Sequence, residues 1–358
     1  MTQRKNPQTR IDRSHRMELY KALALQTECA AVNRATDRAE ARGIMQSSLG
    51  RITGQLMSAL AFHGPSLKLV CLPEYFLTSY PAGESAAEWR EKACVAMDGE
   101  IYDRIGALAQ KTGLYIGANL YETDPHFPEL YFQASTITAP SGELVLRYRR
   151  LISMYAPSPY DVMDAYLEHY SLESLFPVVD TPLGRLAAVA SEEIRFPEIS
   201  RILAARGAEV ILHPTSEAAS TQWTYKNIAK IARAQENQCY VISANSAEIT
   251  GTALAAASTD ARSQIVDDRG LILAETPGGE SITACADVDI RALRDRRARN
   301  GMDNMLARQP AELYAKMYGT LDMHPSGSLG DGSAAPKKDF YKRRQDEVIA
   351  RLSTLGVI

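Results

Sequence analysis

A chain of 358 residues folds as one large domain or two ordinary ones and is long enough to bury a substantial core. Its net charge of -3, from 40 basic and 43 acidic residues, supplies no field that would draw in nucleic acid or an anionic membrane. Cys29, Cys71, Cys94, Cys239 and Cys285 form no C-x-x-C pair, the first twenty residues lack an apolar core, and no apolar run would span a bilayer. These features favour reduced thiols, a cytoplasmic location, no membrane partner and no metal site.

After a polar leader of residues 1-19, Ala22 to Gln26 reads as a short buried strand. Met45, Leu49, Ile52, Leu56 and Leu60 recur at helical spacing on one face. Leu67 to Leu72 is a second strand, ended by Pro73, so that Glu74 falls at a strand's carboxyl end. Ile101, Ile105 and Leu108 mark a helix, and Leu114 to Leu120 a strand. Tyr131 to Ala139 and Glu143 to Tyr148 pair as a hairpin across Pro140-Ser141-Gly142. Leu186 to Ala190 is a strand, followed by a helix bearing Ile199, Ile202 and Leu203 that Gly207 closes, and then a strand at Val210 to Leu212. A helix from about Gln222 to Gln238, a strand at Tyr240 to Ala244 and a hairpin turning at Gly270 complete the pattern. Interleaved strands and helices of this kind predict a single layered α/β domain over residues 20-320. Residues 321-358 read as a connector rich in Gly, Ser and Pro between His324 and Pro336, then a basic tail helix from Phe340 to Leu352.

Neither H-E-x-x-H, nor a phosphate-binding G-x-x-x-x-G-K-[ST], nor an EF-hand loop, nor a G-x-S-x-G elbow occurs. Gly330-Asp331-Gly332-Ser333-Ala334-Ala335 approaches a dinucleotide fingerprint but follows no strand, and is read as chance. No cofactor is expected. Among six histidines, only His213 sits at a strand end, where a hydrogen-bonded structural role is the simpler reading. Cys71, inside a strand, reads as a core thiol rather than a displaced nucleophile.

Four segments together resemble the nitrilase, or carbon-nitrogen hydrolase, superfamily. Leu72-Pro73-Glu74-Tyr75-Phe76 is similar to its glutamate motif, and Gly142 to Arg150 to its lysine motif. Ser191-Glu192-Glu193-Ile194-Arg195-Phe196-Pro197-Glu198 is similar to its nucleophile motif. The stretch from Trp223 through Arg233-Ala234-Gln235-Glu236-Asn237 to Asn245 is similar to the helix and strand that follow, and Arg308 to Tyr314 weakly resembles a later motif. The resemblance spans about residues 20-315 and implies a four-layer α-β-β-α sandwich, a homodimer or larger assembly, and a small amide, carbamoyl or nitrile ligand.

The family's triad is Glu-Lys-Cys, and the resemblance places Glu74, Arg150 and Ser191 at those positions. A hydroxyl needs a well-placed base where a thiol ionises readily, and arginine keeps its proton and cannot relay one to a leaving amine. Two readings follow. In one, standard thiol chemistry is lost or strongly altered, and Glu74 and Arg150 persist as a buried ion pair beside an inherited pocket. In the other, Ser191 is the nucleophile, Glu74 the base and Arg150 the oxyanion stabiliser. Tyr148, Glu192, Arg195 and Trp223 are the candidate substrate contacts, and packing at a strand end is their alternative role. Asp161 or Asp164 would stand in for the second glutamate that many family members carry.

Overall fold

The computed structural model describes residues 17–217, 223–252, 257–258, 261–279, 281–337 and 339–358. Most of the polar leader, residues 1–16, and the expected helix start at Gln222 lie outside the described residues.

Side-chain alternation along the first strand sets the layering. In β1 (Leu19–Gln26), Leu23 and Leu25 enter one apolar cluster, while Ala22 and Ala24 enter another shared with a second sheet. The first cluster is roofed by α1 (Arg38–His63), which the Asp37 carboxylate caps by accepting from the Glu40 amide at 2.8 Å. Met45, Ile52 and Leu56 of α1 are fully buried, each worth about 1.5–3 kcal/mol relative to exposure. Beside α1 lie α2 (Ala86–Ala93) and α3 (Glu100–Thr112).

The main path of the first sheet uses β2 (Leu67–Cys71), β3 (Tyr115–Thr123), β4 (Phe132–Thr138), β5 (Leu144–Arg149) and the late strand β12 (Ile282–Asp289), in the order β12-β1-β2-β3-β4-β5. The second sheet uses β6 (Val179–Thr181), β7 (Gly184–Ala188), β8 (Val210–Pro214), β9 (Tyr240–Ala244), β10 (Gln264–Val266) and β11 (Ile272–Glu275), in the order β11-β10-β9-β8-β7-β6. Both sheets hold a parallel trio, β1-β2-β3 and β7-β8-β9, continued by antiparallel hairpins.

Between β5 and β6 lies α4 (Met163–His169). The second sheet is covered by α5 (Pro197–Ala205) and α6 (Tyr225–Asn237), and α7 (Ile290–Arg297) and α8 (Ala311–Tyr318) follow it. The fold is therefore a four-layer α-β-β-α sandwich. The sheets meet closely at Gly117, where any Cβ would overlap the Leu212 side chain. No helix among the described residues is long and apolar enough to cross a membrane.

The expected hairpins at Pro140-Ser141-Gly142 and at Gly270 are present as β4-β5 and β10-β11. β12, which closes the first sheet against β1 in antiparallel register, was not expected: its run Ile-Thr-Ala-Cys-Ala-Asp-Val-Asp is apolar only in part. The tail forms α9 (Phe340–Thr354). Ahead of it, the Gly-, Ser- and Pro-rich stretch lies against the domain: the Gly327 and Leu329 amides donate to the Tyr160 and Asp161 carbonyls at 2.9 and 2.8 Å.

Candidate active site

Parallel strands leave their carboxyl ends on one edge, and loops from several strands meet there. Pro73 ends the run after β2 and places Glu74 beyond it, 3 % exposed. The following Tyr75 has a φ of 37°, held by its amide donating to Asn119 Oδ1 of β3 at 3.1 Å. The Glu74 carboxylate is held by three donors among the described residues. Oε1 accepts from Gln133 Nε2 of β4 at 2.9 Å and from Arg150 Nη1 at 3.3 Å, and Oε2 accepts from the Ser216 amide beyond β8 at 3.1 Å.

Arg150, the residue after β5, is 6 % exposed. Besides Glu74 it reaches Gln133 Oε1 at 2.7 Å, the Ile152 carbonyl through Nε at 2.7 Å, and Glu192 Oε1 through Nη2. Burial disfavours its charge, but Glu74, Glu192 and Glu193 outweigh that and hold the guanidinium above its ordinary value. Arg150 is therefore a fixed cation.

Ser191 follows β7 on a sharp strand-to-helix elbow, with a φ of 51°, a region in which a residue with a Cβ is strained. It is 5 % exposed. Its carbonyl accepts from His213 Nε2 at 2.7 Å, which puts the imidazole proton on Nε2 and leaves Nδ1 to accept from the Ser243 hydroxyl at 2.8 Å. Burial pushes His213 well below its ordinary pKa, so the ring is a neutral brace for the elbow. The Ser191 hydroxyl itself accepts from Lys226 Nζ of α6 at 3.1 Å, and the same Nζ donates to Thr215 Oγ1 at 3.1 Å.

Glu74 and Arg150 are thus joined directly. Ser191 is tied to them through Lys226, Thr215 and the adjacent Ser216 amide, and through its neighbour Glu192. Of the expected substrate contacts, Glu192 and Arg195 line a cavity of about 700 Å³ with Leu151, Ile152, Phe176, Phe196 and Tyr341 of α9. The Arg195 guanidinium also lies 5.3 Å from the centre of the Tyr225 ring. Tyr148 is fully buried and turns instead to Glu193, donating to Oε2 at 2.9 Å. Trp223 is 49 % exposed ahead of α6 and is not in the cavity wall. Asp161 lines the cavity, but its carboxylate accepts from the Ser158 amide and hydroxyl at 2.9 and 2.8 Å and from the Ser328 hydroxyl at 2.9 Å. Asp164 is exposed on α4. Cys71 is a core thiol that burial pushes up to about 12.

Sequence reasoning passed over Gln133, Asn119, Glu193 and Lys226. Glu193 locks the lysine-motif end to the elbow: Oε1 accepts from the Leu151 and Ile152 amides at 2.7 and 3.0 Å, and burial lifts its carboxyl to about 7 against Arg150 and these donors. Lys226 did carry a signal. Lys226, Lys230, Arg233 and Asn237 repeat at spacings of four, three and four, which puts four polar residues on the one face of α6 that turns to the core.

The carbon-nitrogen hydrolase family profile matches residues 25–298. The chain is 29% identical over 218 residues to the deaminated glutathione amidase of Yersinia enterocolitica, covering 60% of this chain and 73% of that protein. It is 27% identical over 229 residues to a human omega-amidase, covering 64% and 79% of the two chains. Among solved structures, a carbon-nitrogen hydrolase from Helicobacter pylori G27 superposes with a TM-score of 0.63 at 20% identity, covering 85% of this chain and 99% of that one. An amidase from Nesterenkonia sp. superposes with a TM-score of 0.58 at 22% identity, covering 83% and 96%. With the profile spanning most of the sandwich and all three strand-end segments of the site, the chain belongs to the carbon-nitrogen hydrolase family of the nitrilase superfamily.

Proposed function

We propose that this chain binds a small amide or carbamoyl compound and cleaves its C-N bond through Ser191, by a serine-based variant of the family's chemistry. In this reading Glu74, Arg150 and Ser191 stand where the family has glutamate, lysine and cysteine. The observation that carries it is the Ser191 elbow, whose left-handed φ of 51° presents the hydroxyl to the buried Lys226 Nζ 3.1 Å away. A serine kept only as filler needs neither the strain nor the lysine contact. Arg150 supplies a permanent positive charge for a developing oxyanion, oriented by Glu74 and Gln133. It has no proton to give to a leaving amine. The wall of the adjoining 700 Å³ cavity is mainly apolar, with Asp161, Glu192, Arg195 and Arg344 as charged contacts, which suits a small ligand with an apolar body and a polar end. That two relatives are named as amidases favours an amide over a nitrile.

A second reading, an inherited pocket without turnover, draws on a specific observation: among the described residues the Glu74 carboxylate is held by Gln133, Arg150 and the Ser216 amide, and not by Ser191. Steady-state assays on small amides, carbamoyl compounds and nitriles decide between the two. Turnover by the unaltered protein that Ser191→Ala abolishes supports the serine enzyme. If only the Ser191→Cys, Arg150→Lys double variant turns over, the natural chain is a binding protein.

A further inference from the structure

The polar face of α6 divides by partner. Arg233 braces the nucleophile segment, donating through Nε to the Ile194 carbonyl at 2.9 Å. Lys230 donates to Asn227 Oδ1 and to the Arg262 carbonyl at 3.1 and 2.9 Å. Lys226 alone of the three reaches a hydroxyl that the proposed reaction uses. It is 8 % exposed, and among the described residues no carboxylate forms an ion pair with it. Its two hydroxyl contacts, Ser191 Oγ and Thr215 Oγ1, aim the amine along the elbow.

We propose that Lys226 is the catalytic proton carrier of this site, working with Ser191 as a Ser-Lys dyad; the inference rests on the reading of Ser191 as nucleophile. Neither His213 nor Glu74 is placed for the role. His213 faces the Ser191 carbonyl instead of its hydroxyl, and the Glu74 carboxylate is engaged by three donors elsewhere. With its amine neutral, Lys226 accepts the Ser191 proton as Oγ bonds to the amide carbon, and the carbonyl oxygen takes up negative charge beside Arg150. The resulting ammonium gives that proton to the amide nitrogen as the C-N bond breaks, releasing the amine and leaving an ester on Ser191. Water then loses a proton to Lys226 and attacks the ester. Lys226 returns the proton to Ser191 Oγ as the acid departs, so each turnover consumes one amide and one water. The dyad restores the proton relay that arginine at position 150 removes.

The test follows acylation of the full-length protein by p-nitrophenyl acetate, read as the nitrophenol burst and as intact mass, with Ser191→Ala as control. Lys226→Arg keeps a cation and its donors but cannot give up a proton, and Lys226→Met removes both. Lys226→Met, smaller than arginine, serves where Lys226→Arg disturbs the thermal midpoint. The expected result is acylation at Ser191 that falls on the order of 10²- to 10⁴-fold in both variants. Acylation of a folded Lys226→Arg or Lys226→Met protein within a few-fold of the parent would overturn the dyad and leave Ser191 as nucleophile. A parent that is not acylated, or a Ser191→Ala variant acylated equally, removes the nucleophile and the dyad with it.

Discussion

Lys230 shows how the environment of a single side chain becomes a property of the whole protein. Burial pushes its amine down to about 7, with the positive charge of Lys226 adding to the effect and Glu217 opposing it. An unfolded lysine titrates near about 10.4, so between the two values the unfolded chain binds more protons than the folded one. The Lys230 contribution to stability is therefore present above about 10.4 and is lost as pH falls towards about 7. Replacing Lys230 by Met should flatten this part of the pH dependence. The check is the difference in chemical-denaturation midpoint between the two proteins across that range, and an unchanged difference would contradict the assignment. The Glu74-Arg150 pair obeys a separate rule. Arg150→Met leaves the Glu74 carboxylate buried without its cation, which typically costs about 3–5 kcal/mol, measurable by urea unfolding. Glu74 itself was legible in the sequence because Pro73 must end a strand. Gln133, which holds both members of the pair, was not, since a glutamine near the start of an apolar strand has no distinctive spacing.

At the scale of elements, the strand-to-helix elbow at Ser191 concentrates the strain of the site. Ser191→Gly and Ser191→Ala both remove the hydroxyl that Lys226 contacts, but only glycine also removes the penalty at a φ of 51°. The glycine variant should be the more stable of the two by about 1 kcal/mol, read from thermal or urea midpoints. Equal midpoints would mean that the elbow relaxes in the variants. The amphipathic face of α1 was readable from Met45 to Leu60 because burial repeats at helical period. The same period on α6 carries lysines, arginine and asparagine, and composition alone reads such residues as solvent-facing. Their burial follows from having carbonyls and hydroxyls to donate to.

For the molecule as a whole, the outer surface beside the site remains apolar in places. Phe196 and Ile202 around α5, and Ile228 and Tyr225 on α6, are 38 to 75 % exposed, and Tyr318 of α8 reaches this region by donating to Glu198 Oε1 at 2.6 Å. We propose that this face supports the homodimer expected from the family resemblance. Sedimentation should find the parent self-associated and an Ile228→Glu, Phe196→Glu double variant shifted to monomer; a monomeric parent would contradict the proposal.

The sequence by itself determined the layered α/β class, the order of the main strands and helices, and that Glu74 falls just past a strand end. Each of these rests on local periodicity, on turn chemistry or on an ordered series of short motifs. Only the tertiary structure decided which side chains meet: that Glu74 engages Gln133 and Arg150, that Tyr148 turns to Glu193, and that Lys226 reaches Ser191 from 35 positions away in the chain. A hydrogen bond depends on distance in space, and separation along the chain says nothing about it until the sheets have packed.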